Sequence, residues 1–461
     1  MGGLIPELRS GKLMVDGKEF LALAGELHNS SSSSLEYMAS IWPRLVAMNL
    51  NTVLAPISWE LLEPQEGTFD WTLVDGLING ARNHGLRLVP LWFGSFKNGQ
   101  STYVPGWIKV DTGRFPRAQT SPGVPSGTLS PFGSETLTAD KRAFAALMRR
   151  IREVDYDQTV ILVQVENESG LLGGSRDLSP LGEEAWQSYL AENADTSEER
   201  FMAHAFARFV GEVASTGKSE YSLPMFANAW LVNHPNETPG QYPSGGPVPA
   251  MLDLWHASAP CLDALAPDIY YRTVHETCKE YKRSWNPLLI PEIRPDMGGA
   301  ASFFAIAQAD CVLYSPFAID GATDFSELAD AYALIRDLTP LIVARRATGR
   351  MAGILHEDRE LAPREISLGG YRFLVKPHSE TNFLRAHGLL IEIEQDEFLL
   401  AGCGFDLEFS SHSGQVDFLW IEEGRFVDGS WLPGRRLNGD EYHLRLGEPL
   451  ECRRFKLYRL S

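Results

Sequence analysis

The sequence predicts an α/β protein, a (β/α)8 TIM barrel followed by an all-β, sandwich-like domain. Two observations carry this. Eight short apolar runs alternate with stretches whose apolar residues recur at helical spacing, the pattern of parallel βα units, and eight such units can close on themselves and leave no edge strand. Past about Gly349 the helical spacing stops, and short alternating runs punctuated by Gly-Gly, His-Ser and Asp-Gly turns take over. The expected division is 1–350 for the barrel with an N-terminal hairpin and 351–461 for the β domain.

Residues 12–24 read as a hairpin about the Asp16-Gly17 turn pair, leading into a first barrel strand over 20–28. Helix 35–48 puts Leu35, Met38, Ile41, Leu45 and Met48 on one face, after a serine run at 30–34 that supplies its N-cap. A strand over 52–59, a helix over 69–83 stopped by Gly85, and a strongly apolar strand over 86–93 follow. Helix 140–153 then leads to strand 160–168, helix 198–213 to strand 224–230, and helix 249–257 to strand 263–270. Helix 274–282 leads to strand 287–292, helix 300–309 to strand 311–319, and helix 325–338 closes the set. Two stretches, 101–138 and 232–249, are dense in Pro, Gly, Ser and Thr and read as loops. Each follows a barrel strand and so emerges at the C-terminal face, where Tyr103, Trp107, Phe115 and Tyr242 are expected to wall a closed pocket. In the β domain, 371–375, 389–393, 397–400, 416–421 and 442–446 read as strands.

Composition narrows the chemistry. Against 41 Lys plus Arg stand 60 Asp plus Glu, a net charge of −19, which repels polyanions, so neither nucleic acid nor a membrane surface is an expected partner. The five cysteines are scattered, with no C-x-x-C and no His at ligand spacing, which points to neither a disulfide framework nor a zinc site. No phosphate loop, dinucleotide fingerprint or metal cluster is legible, so neither cofactor nor metal is expected. The first residues lack a basic segment followed by an unbroken apolar one, and no apolar run reaches membrane length; a cytoplasmic protein is expected, or a periplasmic or secreted one if a leader preceded it.

The most informative segment is VILVQVENESG at 160–170, an apolar strand that ends in Glu166, Asn167 and Glu168. Period-two alternation puts Glu166 and Glu168 on one face and Asn167 on the other, so Asn167 and Glu168 can address one ligand only if the strand breaks there. The run PLLIPEIRPD at 287–296 brings a second carboxylate, Glu292, to a strand's C-terminal end. Strands four and seven lie nearly across a barrel, and a retaining glycosidase needs two carboxyl groups about 5–5.5 Å apart. Glu168 is then the expected acid/base and Glu292 the nucleophile, with Tyr270, Tyr271 or Arg294 as donors that keep it ionised. His28 at a strand tip and the aromatics Trp59, Trp92, Trp230, Trp255 and Tyr314 are candidates for sugar contact. The sequons at Asn167 and Asn236 are discounted, the first because it falls inside the site.

The runs GELHN, NTVLAPISWELLEPQEGTFDW, LWFGSFKNG and VQVENESG, with Glu292 closing strand seven, resemble glycoside hydrolase family 35, the β-galactosidases, within the retaining (β/α)8 clan. GRFVDGSWLPGRRLNGDE at 424–441 is similar to the C-terminal β domain of that family's bacterial branch. The resemblance implies an acid/base at Glu168, Asn167 holding the sugar 2-hydroxyl, and a nucleophile at Glu292. Three positions depart from the family pattern: Asn29 after His28, Glu60 after Trp59, and Lys97 with Asn98 where an Ala-Glu-Trp contact to the 3- and 4-hydroxyls is usual. The expected substrate is an oligosaccharide with a terminal β-galactose, cleaved from its end; homo-oligomers are left open. The alternatives are another terminal β-sugar (arabinopyranoside, fucoside or glucoside), favoured if Lys97 or Glu60 points into the innermost subsite, and a carbohydrate-binding barrel without activity.

Overall fold

The computed structural model describes residues 4–357, 361–378, 385–411, 414–427 and 429–460. Eight parallel strands close into a barrel: β1 (Ala22–Glu26), β2 (Thr52–Ser58), β3 (Arg87–Lys97), β4 (Val163–Asn167), β5 (Met225–Trp230), β6 (Ala264–Ile269), β7 (Leu289–Ile293) and β8 (Leu313–Pro316). β8 closes on β1 through Leu313↔Ala22 and Tyr314↔Leu23. Period-two alternation sorts the side chains. Ala22, Ala24, Leu54, Leu91, Phe93, Leu162, Phe226, Ala264, Ala266 and Leu313 form one apolar cluster inside the barrel, while Leu23, Val53, Trp92, Val163 and Tyr314 join the layer beneath the helices.

The expected hairpin forms, with Asp16 and Gly17 both at positive φ (51° and 74°) as a two-residue primed turn demands. Its Leu13 and Val15 join the interior cluster and close the barrel's N-terminal end. The stretch expected to be loop at 101–138 carries more structure than its composition signals: a short helix, Gly106–Val110, and a hairpin of Arg117–Ser121 with Val124–Leu129. The helix after it begins at Ser134 and runs to Val154. A further helix, Pro180–Glu192, escapes the sequence reading although Ser179 caps it and Pro180 opens it. It buries only Gly182 fully, so it lacks the apolar stripe on which periodicity depends.

The last barrel helix, Ser326–Arg345, is followed at Met351 by two antiparallel sheets. The six-stranded sheet runs in the order Met351–Leu355, His387–Glu394, Glu397–Cys403, Glu451–Arg459, Val416–Val427, Ser430–Arg436. The four-stranded sheet is Arg364–Leu368, Tyr371–Pro377, Phe405–Ser411, Arg445–Leu446. Phe373, Phe398, Leu400, Phe405 and Phe455 fill the space between them, while Leu389, Ile391 and Leu399, on the other face of the larger sheet, join the barrel's own core. The strand expected at 442–446 shrinks to Arg445–Leu446 behind a turn of 3-10 helix at Gly439–Glu441. Within the run 424–441, Asp428 lies outside the described residues.

Candidate active site

The inward positions of the strands are apolar through most of the barrel and polar at its C-terminal end. Two residues on from Ala24 the inward position is Glu26; Phe226 leads to Asn228 and Ala266 to Asp268, and β3 runs past Phe93 to deliver Lys97. All four are buried, at 0–5 % exposure. Sequence reasoning passed over Glu26, Asn228 and Asp268; the signal was there, a polar residue in step with the small or apolar inward positions of its own strand.

β4 ends with the break that the sequence requires. Glu166 and Glu168 both adopt positive φ (59° and 45°), and the β3–β4 register shifts between Trp92↔Val165 and Lys97↔Asn167. Glu166 is thereby turned away from the mouth, where its carboxyl accepts the N–H groups of Ser95 (3.2 Å) and Phe96 (2.6 Å) and meets buried Asp140. Burial first, then the Asp140 charge, pushes the Glu166 carboxyl up. With Glu166 withdrawn, Asn167 and Glu168 face the same space. β7 has its own irregularity between Ile290 and Ile293, which lets Glu292 enter the mouth.

Two amides organise the centre, and their orientations are fixed by groups that can only donate. Lys97 Nζ donates to Asn167 Oδ1 at 2.8 Å, so Asn167 must turn Nδ2 toward Glu292 Oε1, 3.2 Å away. The Glu168 backbone N–H donates to Asn228 Oδ1 at 2.9 Å, so Asn228 turns Nδ2 toward Asp268 Oδ2 (2.8 Å) and Glu292 Oε1 (3.4 Å). Tyr270 OH donates to Glu292 Oε2 at 2.6 Å. Glu292 thus receives three donors, whereas Glu168 Oε2 and Asp268 Oδ1 have no partner among the described residues beyond the two carboxyls' contact with each other. Burial, then the Glu292 charge, raises the Glu168 carboxyl to about 8, and the same two causes hold Asp268 well above the usual carboxylate range. One oxygen each of Glu168, Asp268 and Glu292 lie within 4.8 Å of one another. Three ligands of a cation could share that spacing, but Glu292 already accepts from three neutral donors and a lysine stands alongside, which suits a hydrogen-bonded organic ligand better than a metal.

The structure therefore gathers Glu168, Glu292, Asn167, Lys97 and Tyr270. Around them stand several residues of the rim. His28 is exposed, with Nδ1 3.1 Å from buried Asp320; Asn98 has a buried Oδ1 without a partner; half-buried Trp230 is in register with Asp268. Glu60 pairs with Lys109 at 2.7 Å and lines a cavity of about 290 Å³ beside the mouth, with Asn29, Ser58 and Tyr103. Tyr271 is 77 % exposed, and Arg294 pairs with Asp296 at 3.2 Å, so of the three expected donors to Glu292 Tyr270 is the one in place.

Four expected sugar contacts are corrected. Trp59 is fully buried and donates Nε1 to Glu63 at 2.8 Å; Trp92, equally buried, donates Nε1 to Asp140 at 2.8 Å; Trp255 donates to the Gly245 carbonyl at 3.0 Å. Tyr314 packs beneath the helices with no exposure. Each faces outward by the alternation of its strand or sits on a helix, where a large aromatic with one polar atom serves the core and satisfies a buried acceptor. The loop aromatics divide likewise: Tyr103 packs edge-on against Phe93 (4.9 Å between ring centroids) at the mouth, but Trp107 packs between Trp59 and Phe115, and Tyr242 bonds Glu199.

A family model described as a domain of unknown function, DUF5597, matches residues 328–447, the end of the barrel and most of the β sheets. No curated protein sequence matches the chain. Among solved structures, the catalytic domain of a β-amylase from Paenibacillus polymyxa is similar with a TM-score of 0.51 at 13% identity, over 66% of this chain and 94% of that one. A β-galactosidase from Bacillus circulans sp. alkalophilus is similar with a TM-score of 0.54 at 12% identity, over 70% of this chain and 57% of that one. A β-galactosidase from Rahnella sp. R3 gives 0.50 at 15%, over 74% and 58%. The chain thus spans under two thirds of the β-galactosidases it resembles. These likenesses agree with the fold seen here, an eight-stranded parallel barrel carrying C-terminal antiparallel sheets.

Proposed function

We propose that the chain is a retaining exo-β-glycosidase of glycoside hydrolase family 35 type, acting on terminal β-galactosides of oligosaccharides. The observation that carries the reading is the pairing of Glu168 and Glu292 with oxygens within 4.8 Å and opposite surroundings. Retention uses carboxyl groups about 5–5.5 Å apart, whereas inversion needs room for a water and about 6.5–9.5 Å. Glu292, with three donors, is the anion that attacks the anomeric carbon. Glu168, raised to about 8, holds a proton at neutral pH and passes it to the departing glycosidic oxygen. In the second step Glu168, now ionised, takes a proton from water, whose oxygen displaces Glu292 and restores both groups. Asn167, with Nδ2 already turned to Glu292, is placed to hold the 2-hydroxyl.

Lys97 favours a second reading of the glycone, the same chemistry on an arabinopyranoside, fucoside or glucoside, because its ammonium lies in the innermost subsite bonded to Asn167. Residues 1–350 form the catalytic barrel in this account and 351–461 an accessory β domain. No described helix is long and apolar enough to cross a membrane, and five free cysteines, four of them buried, suit a reducing cytoplasm. Aryl β-glycosides of the four sugars supply the test. Turnover of one of them, a product of retained configuration by NMR, and a 2-deoxy-2-fluoro sugar trapped on Glu292 are expected. An inverted product, or label on Glu168, refutes the mechanism, and binding without turnover marks a lectin-like barrel.

A further inference from the structure

Glu26 plays no part in that mechanism, and its surroundings are unusual. It ends β1, two residues on from Ala24, and so faces inward; its side chain is fully buried, and neither carboxyl oxygen has a hydrogen-bond partner among the described residues. On the neighbouring strand β8, at the level of Ala24 by the register of that pair, Ser315 has a buried Oγ that is also without a partner among the described residues. Lys97 carries three N–H donors and spends one on Asn167. A buried carboxyl with both oxygens unmet costs stability, and folded chains keep such groups where a ligand completes them.

Resting on the glycosidase reading above, we propose that Glu26 is the residue that selects the glycone, by hydrogen-bonding a ring hydroxyl, other than the 2-hydroxyl, of a neutral terminal sugar. A hydroxyl both donates and accepts, and a protonated carboxyl does the same. Burial, then the charge of Glu292, pushes the Glu26 carboxyl well up, so it meets the sugar in that form. The sugar is neutral because, with Glu26, Glu168 and Asp268 holding protons, the Lys97 ammonium is balanced by Glu292 and leaves no uncompensated cation to hold the carboxylate of a uronic acid.

The test measures kcat/KM for the wild type, E26M and E26Q on the 4-nitrophenyl β-glycoside that the wild type cleaves best and on its 3-deoxy, 4-deoxy and 6-deoxy forms. The wild type should lose about 10²–10⁴-fold on one deoxy form, as sites built to bond a hydroxyl do when it is missing. E26M should lose a similar factor on the parent sugar yet match the wild type on that deoxy form within about threefold, with E26Q between them because its amide still donates and accepts. Thermal midpoints of both variants should equal or exceed the wild type, since an unmet buried acid has been removed. Equal slowing of parent and deoxy sugars by E26M, a wild type indifferent to all three deletions, or variants that melt well below the wild type would each overturn the proposal. A wild type that cleaves no glycoside removes the glycosidase reading and this inference together, whereas turnover without a deoxy penalty removes this inference alone.

Discussion

Replacing Glu168 by Gln separates its chemical role from its structural cost, because the two respond to pH differently. The folded-state pKa of Glu168 is raised from 4.5 to about 8, so the fold binds its proton more tightly than the unfolded chain does. The resulting stability is fully present below about 4.5, is lost progressively as pH rises toward 8, and levels off above. At about 1.4 kcal/mol per pH unit, Glu168 withholds less than about 1 kcal/mol at pH 5, about 3 at pH 7 and nearly 5 above pH 8. Gln keeps the shape of the protonated acid and has no proton to lose. Urea denaturation of E168Q and wild type across pH 5–9 should therefore give curves that nearly coincide at pH 5 and diverge steadily in favour of E168Q. The same residue should set the alkaline limb of wild-type kcat/KM near pH 8, a limb absent from the residual activity of E168Q on activated aryl glycosides. A stability difference that is constant with pH, or an E168Q that is the less stable protein at pH 8, would refute the claim that an uncompensated buried acid sits there.

Three further expectations follow from the same geometry. Tyr270→Phe removes the 2.6 Å bond to Glu292 and should lower kcat by roughly 10–100-fold, the value of about 1.5–3 kcal/mol for a bond to a charged group, with little change in the KM of an aryl substrate. Lys97→Met leaves the Asn167 amide free to turn over, so kcat/KM should fall by about tenfold or more on the parent sugar and far less on its 2-deoxy form; equal losses would show that Lys97 does not act through Asn167. Trp92→Phe strands a buried acceptor on Asp140 and should cost about 1–3 kcal/mol in denaturation while KM stays within about twofold of wild type; a specific rise in KM would return Trp92 to the list of sugar contacts.

The barrel and the two carboxylates at its mouth are legible in the sequence because both depend on local pattern. Alternation of apolar strand and amphipathic helix is written residue by residue, and the two carboxylates stand where apolar strands stop, at Glu168 and Glu292. Even the break at Glu166 is foreseeable, since period two forbids Asn167 and Glu168 from sharing a ligand otherwise. Which aromatics touch solvent is not a local property. Trp59, Trp92 and Tyr314 sit near strand ends like any sugar-stacking ring, but only the closed barrel decides that they face helices and that Glu63 and Asp140 wait for the indole N–H groups. The hairpin inside 101–138 and the helix Pro180–Glu192 were missed for a related reason: strand pairing and capping hold them rather than an apolar stripe. Glu26, Lys97, Asn228 and Asp268 come from four different strands, and no spacing in the chain links them. Closure of the sheet brings them within reach of Glu292, and burial in that shared space, which no single segment possesses, gives the carboxyl groups their protons.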